Sequence, residues 1–207
     1  MCSVRSGAVK SNFLSPLRRF AAASRASAAV ETALAFPIVL AAGMLCADIY
    51  TVGLERDRLE QRAGAIVSVL GMQQELTAEG VQGLLDVVLP QEGLGNYQLL
   101  ISNVRQTGEL YWQLNRGTAG ELCGESVTAP NSEYTPDLPE RDVEEGDRNT
   151  SMLVVEICRQ GKDLTLLGGL SLDNLLHIST VNRVAVGVIE LDETLSKEAG
   201  LSDEDEE

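Results

Sequence analysis

The longest apolar stretch of the chain lies near its N-terminus. Residues 32–47 are 16 residues without a charge, Asp48 interrupts them, and residues 49–54 are apolar again. A helix rises 1.5 Å per residue, so the uncharged run alone spans about 24 Å. With residues 49–54 included, the stretch exceeds the ~20 residues that cross a bilayer. The pattern predicts a transmembrane helix over residues 27–54.

Beyond this stretch, apolar positions recur at helical spacing. The charged residues 55–62 are interleaved with an apolar stripe made of Leu59, Ala63, Ile66, Val67 and Leu70. A spacing of three and four residues is typical of an amphipathic helix, so the first helix is expected to continue to Leu70, where Gly71 ends it. Thr77 is expected to cap a second amphipathic helix that Pro90 closes, so residues 55–90 are predicted to be helical.

The pattern then changes to the alternation typical of strands. Residues 97–115 alternate on both sides of a turn at Thr107-Gly108, which predicts a β-hairpin. Residues 152–158 predict a third strand and residues 183–191 a fourth. Helices followed by a few short strands predict an α+β fold in which residues 91–200 form a small antiparallel-sheet domain.

Two acidic segments break this pattern. Residues 124–149 contain eight acids, two bases and three prolines, and residues 203–207 are all acidic. A connection this long is unusual in a compact domain unless it has a role, so it is either a partner-facing loop or a solvated excursion. The tail, residues 201–207, is expected to be disordered.

Charge is distributed unevenly along the chain. Residues 1–25 hold five bases and no acid, whereas the remaining 182 residues carry a net charge of −20. The positive-inside rule therefore predicts a basic cytoplasmic leader, residues 1–26, and places the chain beyond about Leu54 outside the cytoplasm. The overall charge of −15 repels phosphate backbones and disfavours nucleic acid as a partner.

Other interpretations of the apolar stretch use the same residues. A secretory signal peptide also has a basic head and an apolar core, and Ala41-Ala42-Gly43 offers a small-residue cleavage site. A buried helix of a soluble protein is a further alternative. A lipoprotein is disfavoured because Leu45, just before Cys46, is too large for the residue that precedes a lipidated cysteine.

One segment resembles a known family. Residues 27–37 read SAAVETALAFP and follow Arg18, Arg19, Arg25 and Ala26. This order resembles the N-terminal signature of the TadE/TadF family, minor pilin-like proteins of tight-adherence (Flp, type IVb) pilus systems. In that family an arginine-rich leader and a small residue precede an AAAVE segment and an apolar helix with a proline. The resemblance covers about residues 18–60.

The resemblance implies roles for particular residues. A prepilin peptidase would cut between Ala26 and Ser27, although Ala26 stands where such leaders usually have glycine. Glu31 would then pair with the N-terminal amine of a neighbouring subunit; its alternative role is to mark the water boundary of an ordinary transmembrane helix. Pro37 and Asp48 match the proline and the outer acidic residue of the family, which implies a role in assembly for both; the alternative for Asp48 is that it snorkels outward.

The resemblance also implies an architecture, a location and partners. A single helix of about 40 residues, half in lipid and half over a domain, is the pilin-like arrangement, with a juxtamembrane stalk helix as the alternative. The protein would be single-pass in the bacterial inner membrane, with a cytoplasmic N-terminus and a periplasmic C-terminal domain. Its partners would be the lipid bilayer, other pilin-like and pilus assembly proteins, and a prepilin peptidase.

The four cysteines differ in expected environment. Cys2 falls in the leader and Cys46 in the membrane, whereas Cys123 and Cys158 both fall in the outer domain. An oxidising compartment favours a disulfide between the last two, which would tether the acidic loop to the third strand; two buried free thiols are the alternative.

The sequence offers little for catalysis. It has no phosphate-binding loop, no zinc-protease motif and no nucleophile elbow, so no cofactor or metal is expected. The only histidine, His177, lies in an apolar setting where a packed or capped residue is expected, and Trp112 is expected in the core. Two functions remain: a non-enzymatic minor pilin-like component, or an anchored or secreted acidic module that binds an extracytoplasmic partner.

Overall fold

The computed structural model describes residues 24–90, 94–105, 107–124, 130, 132–134, 151–164, 166–168, 175–184 and 187–201. It divides into two compact units, Met1–Ala47 and Asp48–Glu207. The basic leader up to residue 23, most of the acidic loop 124–149 and the tail from residue 202 lie outside the described residues.

The order of elements is that of an α+β protein, as the sequence predicts. The helices are α1 (Ser24–Leu70), α2 (Ala78–Val88) and α3 (Glu193–Ala199). The strands are β1 (Glu75–Leu76), β2 (Tyr97–Arg105), β3 (Leu110–Gly117), β4 (Ser151–Gln160), β5 (Leu175–Arg183) and β6 (Glu190–Leu191). The long first helix, the Thr77 cap, the hairpin and the third predicted strand are confirmed.

The main sheet has the order β3-β2-β4-β5, and every neighbouring pair is antiparallel. One face contributes alternate apolar side chains of the central strands to the core, among them Leu99, Ile101, Leu153, Val155 and Ile157. The apolar stripe of α1 packs into the same core through Leu59, Ala63, Ile66, Val67 and Leu70. Burial of this stripe explains why the helix continues so far past the apolar run.

β4 is buried along nearly its whole length because both faces of the sheet are covered. The second face carries a smaller core of Val104, Leu110, Tyr134 and Val154. Tyr134 and Cys123 come from the connection between β3 and β4, and these two residues lie on the face opposite the helices. The nearly continuous apolar sequence of β4, broken only by Glu156 between residues 152 and 158, is typical of a strand covered on both sides.

The fourth predicted strand, residues 183–191, is wrong. The strand that pairs with β4 is β5, which runs from Leu175 opposite Gln160 to Arg183 opposite Met152. The chain leaves the sheet there, and Gly187 has a φ of 91°, a left-handed conformation that interrupts a strand. Glu190 and Leu191 form the short strand β6, which pairs with β1 in parallel.

α3 begins at a carboxylate that also holds α2. Asp192 is the N-cap of α3 and accepts hydrogen bonds from the backbone N–H groups of Leu195 and Ala78, each at 2.7 Å. These bonds favour the ionised form, so the pKa of Asp192 lies below its usual value. One side chain therefore joins the starts of two helices that are far apart in sequence.

Candidate functional site

The first candidate feature is the N-terminal part of α1. Every side chain of residues 28–47 is exposed. The large apolar ones are Val30, Leu34, Phe36, Ile38, Val39, Leu40, Met44 and Leu45. By length and composition, α1 is long and apolar enough to cross a membrane, a property that a signal sequence near the N-terminus shares. The free thiol of Cys46 lies within the same exposed segment.

The polar residues of this segment are arranged within a continuous helix. Thr32 donates its hydroxyl hydrogen bond to the carbonyl of Ala28 at 2.8 Å, so its polar group is satisfied by the helix itself. Pro37 lies inside the helix without ending it, although it supplies no N–H to the carbonyl one turn earlier. Glu31 is exposed one turn and a half before Pro37.

The residues of the predicted cleavage site lie at the start of the same helix. The backbone of Ala26 and Ser27 is helical, in the first turn of α1. Their side chains lie outside the described residues, as does the leader before residue 24. The proposed cleavage stays a prediction.

Asp48 has an environment that differs strongly from the one expected from the sequence. It is 1% exposed, so the alternative in which it snorkels outward is wrong. Its two carboxylate oxygens accept hydrogen bonds from the backbone N–H groups of Leu167 and Gly168, both at 2.7 Å. These donors replace water around the charge, which makes burial of the carboxylate tolerable. Asp48 therefore fixes the connection between β4 and β5 onto α1.

A buried ion pair joins the same helix to β4. Arg159 is almost fully buried and donates to one carboxylate oxygen of Glu55. Arg58 lies 3.5 Å from the other oxygen of Glu55, one helical turn away and near the solvent. A buried charge without its partner is costly, so this pair specifies how α1 sits on the sheet.

A single periodicity links these two acids to the core. Asp48, Val52, Glu55, Leu59, Ala63, Ile66 and Leu70 follow one another at three or four residues along α1. Extending the apolar stripe backwards from Leu59 therefore leads to Glu55 and Asp48. The burial of Asp48 and the pairing of Glu55 were not predicted, because both residues are charged and the predicted stripe contains only apolar residues. The predicted outer end of the transmembrane segment, residue 54, lies inside the second unit, which begins at Asp48.

The predicted disulfide is confirmed. Cys123 and Cys158 are bonded with their Cα atoms 5.3 Å apart. The backbone N–H of Cys123 also donates to the side-chain oxygen of Gln98 at 2.8 Å. The start of the acidic connection is thus fastened to the two central strands.

A second group of polar residues lies on the sheet face opposite the helices. The Tyr134 hydroxyl donates to Glu156 at 2.7 Å, and His177 Nε2 is 4.0 Å from the other oxygen of Glu156. Burial, together with the carboxylate, raises the pKa of Tyr134 well above its usual range, so the hydroxyl stays a donor. His177 is 51% exposed on β5, so of the two expected settings, packed or capped, the packed one is wrong.

Comparisons with other proteins add no relative. The chain matches no protein-family model, no curated protein and no solved structure. Within the described ranges, no three His, Cys, Asp or Glu side chains come together as a metal site would require.

Replacing Asp48 by alanine is expected to free the connection between β4 and β5. Two backbone N–H groups lose a charged acceptor, which is expected to lower the free energy of unfolding by about 1–3 kcal/mol. Amide hydrogen exchange at Leu167 and Gly168 should accelerate relative to the rest of the protein in detergent. Asp57 is the matched control, because its only hydrogen bond within the described part of the chain is the one it accepts from the Gln61 side chain. Unchanged exchange at both amides would contradict the contact.

Proposed function

We propose that this protein is a non-enzymatic, minor pilin-like component that supports assembly of a tight-adherence type IVb pilus. Residues 28–47 would anchor it in the bacterial inner membrane, with the leader in the cytoplasm and the second unit in the periplasm. One observation carries the proposal. A fully exposed apolar segment continues, in one helix, into an amphipathic stretch that packs on an antiparallel sheet. The resemblance of residues 18–60 to the TadE/TadF signature supports it.

The dimensions of the exposed segment suit a bilayer. Residues 28–47 form about 30 Å of helix at 1.5 Å per residue, which equals the thickness of a hydrocarbon core. Water disfavours so many exposed apolar side chains, whereas lipid tails and neighbouring apolar helices favour them. Pro37 is tolerated in such a helix, since neighbouring helices compensate for the missing hydrogen bond.

Glu31 is the residue to which we assign register in assembly. A carboxylate near the membrane edge costs several kcal/mol if it lies deep in lipid, so it is retained only with a compensating partner or close to water. Cleavage after Ala26 would place Glu31 fifth in the mature chain, near the positive end of the helix macrodipole. The N-terminal amine of a neighbouring subunit would then be its partner. Helices would pack with their apolar faces while this ion pair sets their offset.

The N-terminal residue of the protein purified from native membranes tests the proposal directly. Mass spectrometry of the terminal peptide that finds Ser27 would support prepilin-type processing. A start near Met44 would indicate a removed signal peptide and a free second unit, and the pilin-like function would be abandoned. A start at Met1 or Cys2 would leave an unprocessed anchor and would remove the proposed amine partner of Glu31.

Replacing Glu31 by alanine is expected to reduce pilus assembly strongly while leaving the protein in the membrane. The substitution removes the charge that would set the offset between helices, and it makes the segment more apolar. Pilus yield and recovery of cross-linked pilin partners are the measurements. Glu60→Ala is the control, because Glu60 is an exposed acid of the same helix that pairs only weakly with Arg56. Equal assembly in the two variants would contradict the role of Glu31.

The net charge beyond residue 25 favours a second candidate. A charge of −20 on this part of the chain suits an acidic module that binds a basic extracytoplasmic ligand. A fragment used to test this should begin at Asp48, because the stripe from Leu59 to Leu70 belongs to the core. Salt-sensitive partner binding by that fragment, together with normal pilus assembly in Glu31→Ala, would favour the module over the pilin-like function.

A further inference from the structure

Three large side chains are exposed around the point where the second unit begins. Ile49 is 67% exposed, Tyr50 is 71% exposed and Leu167 is 77% exposed. Residues 48–50 of a helix lie within about 3 Å along its axis and point in directions about 100° apart. Ile49 and Tyr50 therefore project from two sides of α1 at nearly the same level as Asp48.

Leu167 lies close to the same turn of α1 because its backbone is hydrogen-bonded to Asp48. The backbone N–H groups of Leu167 and Gly168 donate to the buried Asp48 carboxylate at 2.7 Å. The main chain of this connection is therefore anchored while the leucine side chain points outward. A buried carboxylate thus holds in place the backbone of a residue whose apolar side chain is strongly exposed. Exposure of such a side chain is unfavourable in water.

We infer that Ile49, Tyr50 and Leu167 form an interfacial collar that enters the outer edge of the lipid bilayer. Asp48 acts as the positioning residue of this collar. The inference rests on the proposed membrane anchor, since residues 28–47 would span the hydrocarbon core and residues 48–50 follow them directly. The collar would stop the helix from sliding through the membrane and would set the depth of the second unit.

The chemistry of the collar suits the membrane interface. Tyrosine is enriched at this depth because its ring prefers the apolar side and its hydroxyl prefers the headgroups. The first charged side chain after Asp48 is Glu55. Its ion pair with the buried Arg159 directs it towards the sheet of the second unit. Between Asp48 and Glu55 the helix therefore presents only uncharged side chains to its surroundings.

Lipid quenching of an environment-sensitive label tests the collar. The full-length protein with Cys2→Ser and Cys46→Ser keeps its disulfide and receives one new cysteine for a nitrobenzoxadiazole label. The three labelled variants are Leu167→Cys in the collar, Leu40→Cys in the exposed segment and Val87→Cys in α2. Val87 is the matched control because it is also an apolar residue with high exposure, 81%. The proteins are reconstituted in phosphatidylethanolamine–phosphatidylglycerol vesicles containing lipids with a nitroxide near the headgroup or at the chain end.

The collar is supported if the label at residue 167 is quenched several-fold more strongly than the label at residue 87, and more by the shallow than by the deep nitroxide. Quenching of residue 40 with no difference between 167 and 87 would overturn the collar and leave the anchor intact. Absence of quenching at residue 40 would overturn both. Adding Asp48→Ala should reduce quenching at residue 167 alone; unchanged quenching there would refute the positioning role of Asp48.

Discussion

Replacing Trp112 by alanine is expected to lower the free energy of unfolding by about 3–5 kcal/mol, the usual cost of deleting a large aromatic side chain from a core. The ring is fully buried between the sheet and the helices. Its Nε1–H donates to the carbonyl of Ile189 at 2.9 Å, so the substitution also leaves a buried acceptor without its donor. Urea denaturation of the full-length protein in detergent, followed by circular dichroism, measures the loss.

Two variants separate the contributions of packing and hydrogen bonding. Trp112→Phe keeps an aromatic ring in the core but removes the donor and part of the buried volume, so a smaller loss of about 1–3 kcal/mol is expected. Tyr111→Ala is the positional control, because Tyr111 is only partly buried and its ring lies 5.1 Å from the Arg105 guanidinium. If Trp112→Ala destabilised the protein no more than Tyr111→Ala, the assignment of Trp112 to the core would be wrong.

Removing the disulfide is expected to have the second largest effect. The double variant Cys123→Ala, Cys158→Ala releases a constraint between residues 35 apart in sequence. Loop-closure entropy of the unfolded chain predicts a loss of about 3–4 kcal/mol for a separation of this size. The urea midpoint of the oxidised protein should therefore lie well above that of the variant.

Reductant provides the internal control for this prediction. A reducing agent should lower the midpoint of the unmodified protein towards that of the double variant and leave the variant unchanged. Cys46→Ala should behave like the unmodified protein, because Cys46 is a free, exposed thiol. Equal midpoints for the oxidised protein and the double variant would show that the bond contributes no stability.

Elements with strong local signals were predictable. The helix up to Leu70 and the hairpin each have a periodicity that extends over several turns or residues, and turn or capping residues mark their limits. The fourth strand was not predictable in this way. β5 is an edge strand, which tolerates polar side chains, and it contains His177, Ser179, Asn182 and Arg183. Residues 184–191 are more apolar and therefore resemble a strand more closely by composition.

The candidate site likewise contains residues that the sequence identifies and residues whose contacts only the tertiary structure shows. Glu31 and Pro37 stand out because a charge or a proline is unusual within an apolar helix, and no tertiary contact is needed to notice them. Asp48 and Glu55 are also charged residues next to apolar ones, but the sequence does not show what they contact. Asp48 binds the backbone of residues 167–168, and Glu55 binds the side chain of Arg159. Those contacts join positions more than a hundred residues apart, a distance at which spacing carries no information.

The amino-acid sequence alone determined the α+β class, the long helix and the charge asymmetry, because propensity and periodicity act on each segment separately. Only tertiary packing determines which residues of α1 belong to the core of the second unit. Whether a carboxylate such as Asp48 turns to water or is buried depends on donors that distant chain supplies. In this protein those donors are the backbone N–H groups of Leu167 and Gly168, so the burial of Asp48 depends on the tertiary structure and not on the local sequence.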